Sequence, residues 1–279
     1  MTNRDDNGRM SNNIFEFIAT AAAEQGYNSI VDDIIQIVRQ GPDCSYLSLE
    51  PCVVRTNKIA YYAAEGGHRE IVDDIIQTLH VSGSQYQRHL LFDNIIGIAW
   101  KAAKGGHKDI VDHVIQRGHE YLAPIDFSKI ACQAANEGRK DIVDDMIKQG
   151  LQHSTPVNLN RIAKHAAMKG HYDIVADMIT QGANNFNEIA ANAAYGGYKD
   201  IVDGMIRQGA NDLNEIAINA ANRGFKDVVD DMIQRGVNNL NAIAINAAGH
   251  GHEHIVDDMV NRGGFEYCTD SSEGSQRRT

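Results

Sequence analysis

Adjacent aspartates recur down this sequence, at Asp32/Asp33, Asp73/Asp74, Asp144/Asp145, Asp230/Asp231 and Asp257/Asp258. Paired carboxylates can share a proton in general acid–base chemistry or hold a hard cation, provided their oxygens converge. On a helix, neighbouring residues point about 100° apart, and packed helices stand roughly 10 Å apart. Such a spine does not close on one ion. Asp144–Lys148, Asp203–Arg207, Asp231–Arg235 and Asp258–Arg262 are spaced i,i+4, where opposite charges contribute about 0.2–0.5 kcal/mol per pair. A solvated acidic face is the expectation.

His250, His252, Glu253 and His254 form the one cluster with metal-ligand residue types. Zinc needs three or four convergent ligands. His252, however, recurs at a fixed place with His68, His107 and His171, so only His250 and His254 are additional. No metal and no cofactor is expected. Neither a nucleophile elbow nor a Walker loop, dinucleotide fingerprint or zincin motif occurs, so the expectation is a chain without catalysis.

A third set of residues suits recognition. Tyr61, Tyr62 and Glu65 stand two to six residues before Gly67, and Trp100, Lys101 and Lys104 stand likewise before Gly106. The same places then carry Cys132, Gln133 and Asn136; Lys164, His165 and Met168; Ala191, Asn192 and Tyr195; Ile218, Asn219 and Asn222; Ile245, Asn246 and Gly249. Aromatic and basic side chains lead and amides follow. Aromatic rings in such a row are interface anchors, and Trp100 is either an anchor or a wedge between helices. For Asn192, Asn219 and Asn246 the competing reading is a structural hydrogen-bond ladder.

The elements that must position these residues come from a repeat. A marker glycine recurs at Gly26, Gly67, Gly106, Gly138, Gly170, Gly197, Gly224 and Gly251, at intervals of 41, 39, 32, 32, 27, 27 and 27. A fixed period of this size marks stacked supersecondary units. Within a unit the apolar spacing is helical: Ile189, Ala190, Ala193 and Ala194 form one stripe, and Ile201, Val202, Met205 and Ile206 form another. Asn185 with Glu188, and Asp212 with Glu215, read as N-caps followed three residues later by glutamate. Gly182, Gly209 and Gly236 read as helix stops. Acids such as Asp109, Asp200 and Asp227 open each second helix, where the helix dipole favours them. Each unit is thus two short helices of roughly 9 to 11 residues, too thin to fold without its neighbours. Tetratricopeptide and HEAT arrays need longer helices and longer periods.

The first-helix pattern IAxxAAxxGH and second-helix pattern DIVDDMIxQGA, over about residues 14 to 264, are similar to the ankyrin repeat. The IVDDMI units with GANN junctions resemble in particular the ankyrin arrays of large DNA viruses of amoebae. The resemblance implies an all-α solenoid of about eight helix-turn-helix repeats that binds proteins on its concave first helices. Two departures stand out. The family's TPLH is replaced by sequences such as EIAA at Glu188 to Ala191, and a 27-residue unit leaves no room for the β-hairpin finger. Fingers are expected to be absent or minimal, with no strand between residues 182 and 264.

Residues 1–12 read as a disordered lead-in, 13–264 as the repeat array and 265–279 as a polar tail. Longer connectors fall at 41–57, 80–94, 118–129 and 150–160, carrying Tyr46, Tyr86, Tyr121 and Phe127 either as exposed anchors or as rings packed back on the array. Aromatics make up 6% of the chain, so the core must be Ala, Ile, Val and Met. A net charge of −11 opposes binding to nucleic acid and to anionic membrane surfaces. Cys44, Cys52, Cys132 and Cys268 form no CxxC pair, there is no apolar run long enough to span a bilayer, and the N-terminus is polar, so a reduced cytoplasmic setting is expected. A non-catalytic scaffold for a protein partner is the leading expectation, with a host protein as partner where the viral resemblance holds. A nucleotide-sequestering array and a self-assembling repeat protein are the alternatives.

Overall fold

The computed structural model describes residues 12–40, 50–81, 85–120 and 125–263. Among these residues there are sixteen helices and no strand. They pair as eight hairpins. The first four are α1 (Asn12–Gln25) with α2 (Asn28–Gln40), α3 (Glu50–Gly66) with α4 (Arg69–Val81), α5 (Gln85–Gly105) with α6 (Lys108–Glu120), and α7 (Phe127–Asn136) with α8 (Lys140–Gln152). Then follow α9 (Leu159–Met168) with α10 (Tyr172–Thr180), α11 (Phe186–Gly196) with α12 (Lys199–Arg207), α13 (Leu213–Asn222) with α14 (Lys226–Gln234), and α15 (Leu240–Gly249) with α16 (Glu253–Asn261). The lead-in before Asn12, the tail after Gly263, Cys44, Tyr46, Tyr121 and Cys268 lie outside the described residues, as do the side chains of Cys52 and Tyr86.

The chain divides into two compact units, Met1–Ile162 and Ala163–Thr279. In the first, α1 packs on α3, α3 on α5 and α5 on α7, each with its own second helix against it. In the second, α11 packs on α13 and α13 on α15, again each with its own second helix. Contacts therefore run from one hairpin to the next, the mark of a repeat array.

Local chemistry accounts for the hairpins. Asn185, Asp212 and Asn239 cap α11, α13 and α15 by accepting the backbone N–H three residues on. Asn185 also donates from Nδ2 to Glu188 Oε2 at 2.8 Å. At the far end of α11, Gly197 takes φ +81, and the Tyr198 N–H returns to the Ala193 carbonyl at 2.9 Å. Its neighbour Gly196 is needed for a different reason: a Cβ there would run into the Met168 carbonyl of the preceding hairpin. The connectors are equally tight. Asn187 Oδ1 accepts from the backbone N–H groups of Asn211 at 2.7 Å and Asp212 at 3.1 Å, which pins one connector to the preceding first helix.

Ile189, Ala190, Ala193, Ala194 and Val202 are fully buried, and Ile201 and Met205 nearly so. Burying an aliphatic side chain of this size contributes about 1.5–3 kcal/mol. Ile206 is only half-buried, at the stripe's edge.

Helix length departs from expectation in the first unit. α3 has 17 residues, α5 has 21, and α4, α6 and α8 have 13 each. Much of the connectors 41–57 and 80–94 is helix continuing into α3 and α5. The physical reason is plain in hindsight: residues 85–94 contain neither Gly nor Pro, and Pro51 lies in the first turn of α3, where its missing N–H costs nothing. The extra length of the early units is extra helical turns, so helix length does not separate this array from solenoids with longer helices. Phe127 is 3% exposed, a ring packed back on the array and not a free anchor.

Candidate functional site

The outer face of the first helices brings together one compact constellation, on α3 and α5. Tyr61 donates its phenol to Asn94 Oδ1 at 3.2 Å, and its ring lies where a Cβ on Gly97 would sit. Tyr61 is therefore a spacer between the two helices. Tyr62, one residue on, is 41% exposed. Lys101 lies 5.7 Å from the Tyr62 ring centroid and 5.6 Å from that of Trp100, within cation–π range of both.

Glu65 holds the cations in place. Its two carboxylate oxygens each accept from one lysine, Lys101 at 2.6 Å and Lys104 at 2.6 Å. Partial burial would raise the Glu65 pKa, but the hydrogen bonds and charges of both lysines outweigh it and hold the carboxyl below its ordinary value. The hydrogen bond to Glu65, opposed by some burial, lifts Lys104 in turn.

The remaining predicted positions divide by angle. The places five and six before the marker glycine lie roughly 130° from the centre of the apolar stripe, at about 100° per residue, while the place two before points almost directly away. Tyr195, at that outward place, is exposed and carries the Arg223 guanidinium 5.1 Å from its ring centroid. Gln133 contradicts the expectation of an accessible contact. It is 7% exposed beside Cys132 at 4%, and its amide is spent on Glu137, the C-cap of its own helix, at 3.1 Å. Asn136, His165 and Met168 are half-buried, and Lys164 pairs with Glu188 at 2.6 Å.

Asn192, Asn219 and Asn246 form no ladder between hairpins. Each donates Nδ2 to the carbonyl four residues back on its own helix, at 2.8, 2.9 and 2.8 Å respectively. Half-buried Asn222 leaves Oδ1 buried without a partner.

The aspartate spine is more than a solvated face. Counting from each marker glycine, the second residue is a cation in five of the eight hairpins, the sixth and seventh are mostly acids, and the eleventh is Arg in three and Gln in three. Lys199 reaches Asp203 on its own helix at 2.9 Å and Asp231 on the next at 3.2 Å, while Arg235 reaches Asp231 at 2.8 Å and Asp203 at 2.6 Å. The four close a ring across the α12–α14 junction. Lys226, Asp230, Asp258 and Arg262 close the same ring between α14 and α16. In the first unit the places are taken by Arg69, Asp73, His113 and Arg117 between α4 and α6, and by Lys108, Asp112, Asp145 and Gln149 between α6 and α8. Of the four i,i+4 pairs expected, Asp231–Arg235 and Asp258–Arg262 form. Asp144 bonds Lys140 of its own helix instead, and Asp203 takes Lys199 of its own helix together with Arg235 of the next hairpin.

Three ring acids, Asp73, Asp231 and Asp258, are held low, whereas burial raises Asp112 in spite of Lys108. Burial pushes Asp231 up, but hydrogen bonds and charges from Arg235 and Lys199 outweigh it; at Asp258 the Arg262 hydrogen bond leads. Asp74 stands outside such a ring, and burial together with Asp32, Asp73 and Glu70 raises it.

The recurrent turn histidine is a second tie between hairpins. The carbonyl of the preceding hairpin receives the Nε2–H of His68 (to Glu24, 2.9 Å), His107 (to Glu65, 3.1 Å) and His252 (to Asn222, 3.2 Å). His250 turns to the Asn246 carbonyl at 3.0 Å, and His254 meets His252 edge-on at 6.3 Å. Among the described residues no three His, Cys, Asp or Glu side chains are grouped to hold a metal.

One cluster had no sequence signal, because its members come from different hairpins. His119, at the end of α6, stacks on His153 just beyond α8 with centroids 4.3 Å apart, and Phe127 lies 5.8 Å from His153. His119 Nε2 is buried without a partner.

No protein-family model matches the chain, and no curated protein does. No helix among the described residues is long and apolar enough to cross a membrane.

Proposed function

We propose that this chain is a non-catalytic recognition scaffold of ankyrin-like units, which binds a protein partner through the outer face of its first helices. The observation that carries this reading is the Tyr62–Trp100–Lys101 constellation, clamped by Glu65. The exposed Tyr62 ring beside half-buried Trp100 supplies the attraction, and cations already fixed in place lose little freedom on binding. The turn histidines and marker glycines support the ankyrin-like reading, since both act between hairpins. Where the viral resemblance holds, the partner is a host protein met in the cytoplasm.

The same geometry weighs against a nucleotide. A phosphate arriving at Lys101 and Lys104 would have to displace the Glu65 carboxylate from both. Trp100 is the sole tryptophan, so it reports directly on this site. In affinity capture from cell lysate, the full chain is expected to retain a partner that the Tyr62→Ala/Trp100→Ala variant loses at least about tenfold, with an unchanged far-ultraviolet spectrum. The Trp100 emission of the wild-type chain shifts as that partner, once purified, is titrated in. A saturable change in that emission with ATP instead would overturn the reading in favour of nucleotide sequestration.

Self-association is favoured by one observation. Ile245 is 65% exposed on α15 and Val260 is 41% exposed on α16, at the last described hairpin. Mass that rises with concentration, and stops rising in Ile245→Asp, is the outcome this second reading expects.

A further inference from the structure

The first and last described hairpins expose opposite halves of the contact that joins hairpins inside the array. The eighth residue before the marker glycine and the fourth after it are aliphatic in all eight hairpins. In the seven from Gly67 onward these side chains are at most 3% exposed, as at Ile59 and Ile71. In the first hairpin they are Ile18 and Ile30, 39% and 43% exposed. The third residue before the marker glycine behaves in the opposite way. It is alanine throughout, fully buried from Ala23 to Ala221 and exposed at Ala248 of the last hairpin. The aliphatic pair therefore faces the hairpin before, and the alanine faces the hairpin after.

The turns follow the same polarity. The side chain after a marker glycine lies over the marker glycine of the hairpin before: His68 over Gly26, His107 over Gly67, Tyr198 over Gly170, Phe225 over Gly197 and His252 over Gly224. Tyr27, at that place in the first hairpin, is 57% exposed, while a Cβ on Gly251 would meet nothing within 4 Å. One hairpin thus presents a ring without a seat, and the other a seat without a ring. Hairpins that cap a repeat array carry a polar outer face. These two carry Ile18 and Ile30, and Ile245 and Ala248, instead.

We propose that the last hairpin of one copy stacks on the first hairpin of a second copy, head to tail, with the Tyr27 ring over Gly251 and with Ile18 and Ile30 against the exposed face of α15 and α16. This rests on the self-association reading and names its two surfaces. The occupant is a second copy because the two faces are the halves of a junction that the chain already makes with itself inside the array. Charge opposes the union. The joint brings the second and sixth places of the last hairpin, Glu253 and Asp257, towards the seventh of the first, Asp33. All three are exposed acids, and none of these places holds a cation such as Lys108, which serves both Asp112 and Asp145. Association is therefore governed by salt, which screens these acids and the net −11 of each copy. A joint between unlike faces leaves one face free at each end, so copies add into chains.

The test is analytical ultracentrifugation of the full chain across concentration, in about 20 mM and about 0.5 M NaCl. Mass is expected to rise beyond that of two chains, with association at least about tenfold tighter in the higher salt. Ile30→Asp and Ile245→Asp are each expected to keep the mass of a single chain. An equimolar mixture of the two is expected to give a dimer and nothing larger, because each variant keeps the face that the other has lost. That dimer also shows that both variants are folded. Glu253→Lys supplies one cation to Asp257 and Asp33, and is expected to tighten association at least about threefold in the lower salt. Constant mass of the wild-type chain up to about 0.1 mM in the higher salt, or association untouched by either variant, overturns the proposal and the self-association reading together. Association that Ile245→Asp abolishes and Ile30→Asp leaves intact keeps that reading and overturns the head-to-tail joint, as does a mixture that stays monomeric.

Discussion

Single side chains carry two charge-dependent properties of this protein. Glu65 is held below its ordinary pKa of 4.5 by Lys101 and Lys104, against the pull of burial. His119 is held below its ordinary 6.5, first by burial and then by the charge of His153. The charges near His119 on its own helix are Arg117 and Glu120, which pair with each other at 3.1 Å. A histidine depressed in the folded state binds its proton more readily when unfolded. The His119 contribution is therefore fully present above pH 6.5 and is lost as pH falls from there through the lower folded value. His119→Phe is expected to flatten the urea midpoint between about pH 6.5 and pH 5, a window set by the usual histidine range. A wild-type midpoint already flat across that window would show that His119 takes up no extra proton on unfolding.

At the scale of helices, the charged rings join one hairpin to the next on the second helices, as the turn histidines do beside the marker glycines. Isolated exposed ion pairs contribute about 0.2–1 kcal/mol, but Lys226 bonds Asp230 and Asp258 at once, so one immobilised side chain serves two contacts. A double-mutant cycle of Lys226→Met with Asp258→Asn is expected to give a coupling of about 0.5–1 kcal/mol, reduced by 1 M salt. Additive effects at low salt would mean the ring has no cooperative role. The same scale holds the misjudged helix lengths. Gly182, Gly209 and Gly236 do follow helix ends at positive φ, but residues 85–94 contain neither Gly nor Pro, and a connector without a stop simply continues the helix.

For the whole molecule, hairpin-to-hairpin contact predicts that damage stays local. Ile216 is fully buried on α13, which packs between α11 and α15. Ile216→Ala is expected to cost about 2–5 kcal/mol, and hydrogen exchange should accelerate in α11 to α15 before the first compact unit responds. Uniform acceleration through both units would refute a nearest-neighbour array. The repeat, the helical pairs, the caps at Asn185 and Asp212 and the aliphatic core were legible along the chain because each depends on residues a few positions apart. Glu65 bridging Lys101 and Lys104, the four-charge rings and the burial of Gln133 were not. Each joins side chains from different helices, and a linear spacing states which way a residue leans on its own helix but not what the neighbouring hairpin places opposite it.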